Sequence, residues 1–152
     1  MRLAQGIQLA YCTNVHRGGN WTETFSSLRN DVLRVREKVA PDEPYAIGLR
    51  LGATAAKELS EGKNLSIFRD WLDRNQCYVF TINGFPYGNF HGERVKEKVY
   101  LPDWTSTDRL DYTNLLFSIL EELCEQGGEG SVSTLPGSFK EFIPSGKVPP
   151  EM

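Results

Sequence analysis

Two hydrophobic periods take turns along the chain. Four short runs favour extended backbone: residues 7–12 (IQLAYC), 45–51 (YAIGLRL), 77–82 (CYVFTI) and the weaker 130–134 (GSVST). Between them the spacing lengthens to that of a helix. Trp21, Phe25, Leu28, Val32, Val35 and Val39 recur at steps of four and three behind an Asn20 cap, with Glu23 completing a capping box and Pro41 ending the run. Residues 53–60 are strong helix formers up to Gly62, and a further helix starts from a cap at Asn64 with Leu65, Phe68, Trp71 and Leu72 on one face. Residues 93–99 read as a helical turn. Thr105 and Asp108 offer a last capping box, and Leu110, Leu116, Phe117, Leu120, Leu123 and Cys124 form the stripe of a helix stopped by Gly127-Gly128.

Strand and helix thus alternate four times with no hairpin signal, which predicts right-handed βαβ units and a parallel sheet. A doubly wound sheet and a barrel both satisfy that pattern. Either fold places ligands at the C-terminal ends of its strands. No G-x-G-x-x-G follows the first strand. The stretch from Cys77 to Gly92, CYVFTINGFPYGNFHG, organises the rest: a buried strand opens into a loop shaped by Asn83-Gly84 and Gly88-Asn89, pairs that permit left-handed dihedrals.

Composition narrows the class. The 152 residues, 39% of them apolar and with a net charge of −3, suit one globular domain. Lysines and arginines are scattered among acids, and the pI of 5.4 argues against a nucleic-acid partner. The first residues, MRLAQGIQLAYC, are too polar for a signal segment, and no run approaches the roughly 20 apolar residues of a membrane span. The expectation is a cytoplasmic protein. Cys12, Cys77 and Cys124 stand singly, so neither a disulfide framework nor a zinc cluster is indicated.

Candidate chemistry gathers where the strands end. His16 and His91, the two histidines, both follow strand ends, where neutral imidazoles coordinate a divalent metal or transfer a proton; the alternative is a pair of hydrogen-bonded loop histidines. A metal would need carboxylates from elsewhere. Asn14 and Asn83 end their strands comparably and present amides to a ligand, or simply cap turns. Tyr87, with Phe85 and Phe90, offers an apolar wall for a small ligand or packs the loop. Arg50, inside an apolar strand, pairs with an acid or meets a ligand anion. Ser133, Thr134 and Lys140 stand where a phosphate or carboxylate would meet the last strand, while Lys96 and Lys98 read as a solvated face.

The strings AYCTNVH, IGLRL, YVFTINGFPYGNFHGERVKEKVYLPDW and STLPGSFK together resemble the metabolite-traffic protein EboE family. The resemblance spans nearly the whole chain. It implies a xylose-isomerase-like TIM barrel, of sugar-phosphate isomerase/epimerase type, of which residues 1–152 are the first four βα units and the N-terminal half of a single domain. On this expectation the chain is truncated, with Pro149-Pro150-Glu151 opening a helix whose remainder is absent. The resemblance further implies a small sugar-like metabolite moved or processed for export, with other proteins of the same pathway as partners. Metal-assisted isomerisation or epimerisation would use His16 and His91 as ligands or proton shuttles, Asn14 and Asn83 as orienters, and Arg50 or Lys140 as anion anchors. A non-catalytic binding or carrier module needs the same pocket without an acid/base set. A flavodoxin-like domain is the third reading, and it requires a fifth strand.

Overall fold

One strand, Tyr45–Arg50 (β2), is buried at every position, and the sheet is built outward from it. In a computed structural model of the chain, which describes residues 1–88, 99–125 and 127–143, β2 lies between Tyr11–Cys12 (β1) and Cys77–Asn83 (β3). Ser131–Ser133 (β4) pairs on the far side of β3. All pairings are parallel and the order is β1-β2-β3-β4. The sheet therefore grows in one direction, with no reversal of order among the described residues. A strand enclosed on both faces needs the near-continuous apolar sequence that β2 has.

Trp21–Ser27 (α1) and Leu33–Val39 (α2) follow β1, Ala53–Ser60 (α3) and Asn64–Arg74 (α4) follow β2, and Thr107–Leu123 (α5) leads towards β4. Helix α3 touches α1, α4 and α5, while α4 and α5 lie on β3, so the helices form one layer. Strand residues feed that layer: Ile47 and Leu49 by alternation, and Val79 and Ile82 across a register shift that leaves Phe80 as an extra residue in β3, join Leu59, Phe68 and Leu116 in the core. Trp21, Phe25, Phe68 and Trp71 pack at 5.0 to 5.9 Å between ring centroids and lock α1 to α4. Each such pair adds about 0.5–1.5 kcal/mol beyond its buried area. By the same alternation Gly48, Thr81, Asn83, Ser131 and Ser133 fall on the opposite face of the sheet. No described helix is long and apolar enough to cross a membrane.

Several local expectations give way. The first strand is only two residues long, because the chain before it folds back: Arg2 bridges Gln8, the Met1 ammonium donates to Leu9 O at 2.7 Å, and Ile7 and Leu9 stay exposed. Asn20 caps α1 as expected, its Oδ1 accepting from Glu23 N at 2.8 Å. The stripe then breaks, since a π-turn at Leu28–Val32 inserts one residue and rotates Val39 out to 60% exposure. Asn64 is not a cap; it is the first helical residue of α4, and its Nδ2 donates to Glu58 O. Ser106, not Thr105, caps α5. Helix α5 turns Arg109, Tyr112, Thr113, Leu116 and Leu120 inward, leaving Leu110 and Phe117 half exposed. The proposed turn at residues 93–99 lies outside the described residues except for its last one.

Gly84 also serves differently from its expected role. Its φ is not left-handed; what it permits is close approach, for a Cβ there would stand 3.0 Å from Ser133 O and 2.6 Å from Leu116 Cδ1. Its N–H donates to Ser133 O at 2.9 Å, tying β3 to β4. Gly84→Ala should therefore lower stability by about 1–3 kcal/mol in denaturant unfolding. Gly88→Ala, where a Cβ meets nothing within 4 Å, should change it by less than about 0.5 kcal/mol. Equal effects would show that the β3–β4 approach is not tight.

Candidate functional site

Where β3 ends, the Asn83 side chain joins three segments of chain. Its Nδ2 donates to Asn14 Oδ1 at 3.1 Å, and its Oδ1 accepts from Phe85 N at 2.9 Å and from Ser133 Oγ at 3.2 Å. Asn14 stands just beyond β1, and Ser133 closes β4. Alternation from the paired positions puts Asn83 and Ser133 on the sheet face away from the helices, and the bond to Asn83 brings Asn14, in the 3-10 turn Thr13–Val15, to the same C-terminal rim. Asn14 and Ser133 are exposed and Asn83 is half-buried, so the row is open to solvent. The structure thus brings the two expected asparagines into contact and adds Ser133 to them.

Two buried guanidiniums, one of them on Arg50, the register partner of Asn83, hold the start of the loop that follows β3. Arg50 donates from Nη1 to Gly18 O at 3.2 Å and from Nη2 to Gly88 O at 2.9 Å, while its own N–H donates to Thr13 Oγ1. Among the described residues it has no acid partner, so the expected ion pair is replaced by main-chain carbonyls. Arg109, fully buried, donates from Nε to Pro102 O at 2.8 Å and from Nη1 to Gly84 O at 3.1 Å, and its Nη2 has no hydrogen-bond partner among the described residues. The Arg109 guanidinium lies 5.6 Å from the Tyr87 ring centroid and 5.5 Å from that of Tyr112. Burial lowers the pKa of both arginines and raises that of Tyr112, whose hydroxyl donates to Leu51 O. Apolar positions alone do not reveal Arg109 on the buried stripe of α5. The three-and-four spacing of Arg109, Tyr112, Thr113 and Leu116 was its signal.

The other described candidates stand apart from the row. His16 Nε2 meets Tyr11 OH at 3.0 Å, and its Nδ1 lies 3.9 Å from Asp31 Oδ2 in the π-turn. With Thr24, Ser27, Leu28, Val32 and Arg50 it lines a cavity of about 10 Å³, room for a single water, between the strand ends and the helix layer. The imidazole is thus on the helix side of β1. His91 lies outside the described residues. Tyr87 turns towards α3 and α5, its ring edge-on to Tyr112 and its carbonyl accepting from Ala53 N. Lys140 is exposed on a short 3-10 turn. As a metal centre the described residues do not suffice, because no three His, Cys, Asp or Glu side chains among them converge.

A latch closes the far side of the rim. Asp103, buried, accepts from Thr105 N at 3.0 Å and from the Thr105 hydroxyl through Oδ1, and from the Ser138 hydroxyl through Oδ2. Trp104 adds bonds to Leu135 O and Gly137 O, so the approach to α5 is fastened to the loop after β4. Burial pushes the Asp103 carboxyl up, but the hydroxyl and N–H donors outweigh it and hold the pKa below its ordinary value. A depressed carboxyl contributes stability above about pH 4 and loses it as the pH falls through the folded value. Urea midpoints should drop on the acid side of about pH 4, and Asp103→Asn should flatten that drop while costing about 1–3 kcal/mol at neutral pH. An unchanged acid limb would remove Asp103 from the account. Compared with family models, with curated proteins and with solved structures, the chain matches none.

Proposed function

We propose that the chain forms the first four βα units of a TIM barrel whose C-terminal rim binds a small sugar-like metabolite, in the manner of an EboE-type metabolite-traffic protein. The observation that carries this reading is the amide row: Asn83 links the ends of β1, β3 and β4 into one hydrogen-bonded array at the rim where parallel α/β folds bind ligands. A sheet that grows strand by strand in chain order, with its helices in a single layer, supports the barrel over the flavodoxin-like reading, in which the order turns back around the first strand. A cytoplasmic location and partners from the same pathway belong to this proposal.

Binding without turnover is the form the described residues favour. The row offers amides and a hydroxyl, which orient hydroxyl groups but do not move protons at neutral pH. Metal-assisted isomerisation or epimerisation is the second reading; it would draw on His16, on His91 and on ligands beyond the described residues, and Tyr11 already bonds one of the two His16 ring nitrogens.

Calorimetric titration with free and phosphorylated pentoses, hexoses and their polyols tests the proposal. At least one should bind, and Asn83→Ala should weaken it about tenfold, or 1.4 kcal/mol. A panel without a ligand, or an alanine variant that binds equally well, overturns it. Incorporation of solvent deuterium at carbon into the bound sugar would favour the enzyme over the carrier.

A further inference from the structure

The amide row has a direction. Phe85 N–H is a main-chain donor and cannot accept, so the Asn83 atom facing it must be the oxygen, and Nδ2 must face Asn14. Asn14 then presents its oxygen to Asn83 and keeps both Nδ2 hydrogens for the solvent side. At the other end Ser133 spends its proton on Asn83 Oδ1, which leaves the lone pairs of its oxygen. Hydrogen-bond donors are thus displayed over β1 and an acceptor over β4, with the polarity fixed by one main-chain N–H.

The row carries no formal charge. Arg50, the register partner of Asn83, and Arg109 are both buried and direct donors to main-chain carbonyls, and Arg109 Nη2, which has no hydrogen-bond partner among the described residues, is sealed from solvent. From this the geometry points to an uncharged polyol as the ligand, held by an oxygen accepting from Asn14 and a hydroxyl donating to Ser133, with Asn83 as the positioning residue between them. This inference rests on the proposed rim site and names its ligand class. Two hydrogen bonds and two amide widths separate the ends by roughly 11 Å at most, a span that a pentitol or hexitol covers with its own two hydrogen bonds. A hydroxyl accepts and donates at once, so a polyol satisfies both ends with a single functional group type.

Sorbitol and sorbitol 6-phosphate, titrated into nitrogen-15-labelled protein, separate the outcomes. Sorbitol should shift the side-chain amides of Asn14 and Asn83 and bind at least as tightly as its phosphate. Ser133→Ala should weaken sorbitol about fivefold with an unchanged melting temperature, whereas Ser131→Ala, which loses only the bond to Thr81 Oγ1, should bind as the parent does. Asn83→Asp keeps the acceptor for Phe85 and Ser133 but sets an oxygen against Asn14 Oδ1, so it should cost about tenfold. The inference is overturned if the phosphate binds about tenfold tighter, if Ser133→Ala has no effect, or if sorbitol does not bind. The rim-site proposal stands or falls separately, on whether any member of the sugar panel binds and depends on Asn83.

Discussion

Two buried guanidiniums, with no hydrogen-bonded carboxylate among the described residues, hold this structure's upper end together. Arg50 and Arg109 carry full charge at any ordinary pH, and each offers donors in a fixed plane. Main-chain carbonyls meet that need: Gly18 and Gly88 for Arg50, Pro102 and Gly84 for Arg109. The first residues of the chain after β3 are thereby gripped at Gly84 and at Gly88. Their geometry follows from the demand that buried cations be hydrogen-bonded, more than from any preference of the loop residues themselves.

That grip has a chemical result at the rim. Phe85 lies within the clamped loop, and its N–H sets which way round the Asn83 amide stands. A side-chain amide in water turns over freely between two nearly equal faces. Here the turn is forbidden, and the orientation passes on to Asn14 and Ser133. Cations whose guanidiniums bond main-chain carbonyls thus determine what the row can accept.

Much of the layer pattern was readable from the residues alone. The alternation of strands and helices, the bounds of α3 and the inward face of α4 follow from hydrophobic spacing that tertiary contacts then reinforce. Asn14 and Asn83 were legible as a pair because both end strands. Ser133 was visible only as a residue near the last strand's end, since nothing in a serine's sequence context says which neighbour will take its proton. Arg109 was hidden for a different reason: a charged residue on a buried helix face contradicts the rule used to find that face. His16 lies near the predicted rim in sequence, yet its ring is drawn to Tyr11 and towards Asp31, contacts that depend on how one helix is wound.

That winding couples two things usually independent in a helix, its length and its electrostatics. The wide turn at Leu28–Val32 that throws Val39 into solvent is the same turn that carries Asp31 towards the His16 imidazole. Deleting a single residue there would restore a uniform pitch, bury more valine and withdraw a carboxylate from an imidazole in one stroke. A small insertion within a helix can thus choose which side chain stands beside a histidine, set by chain length and not by substitution.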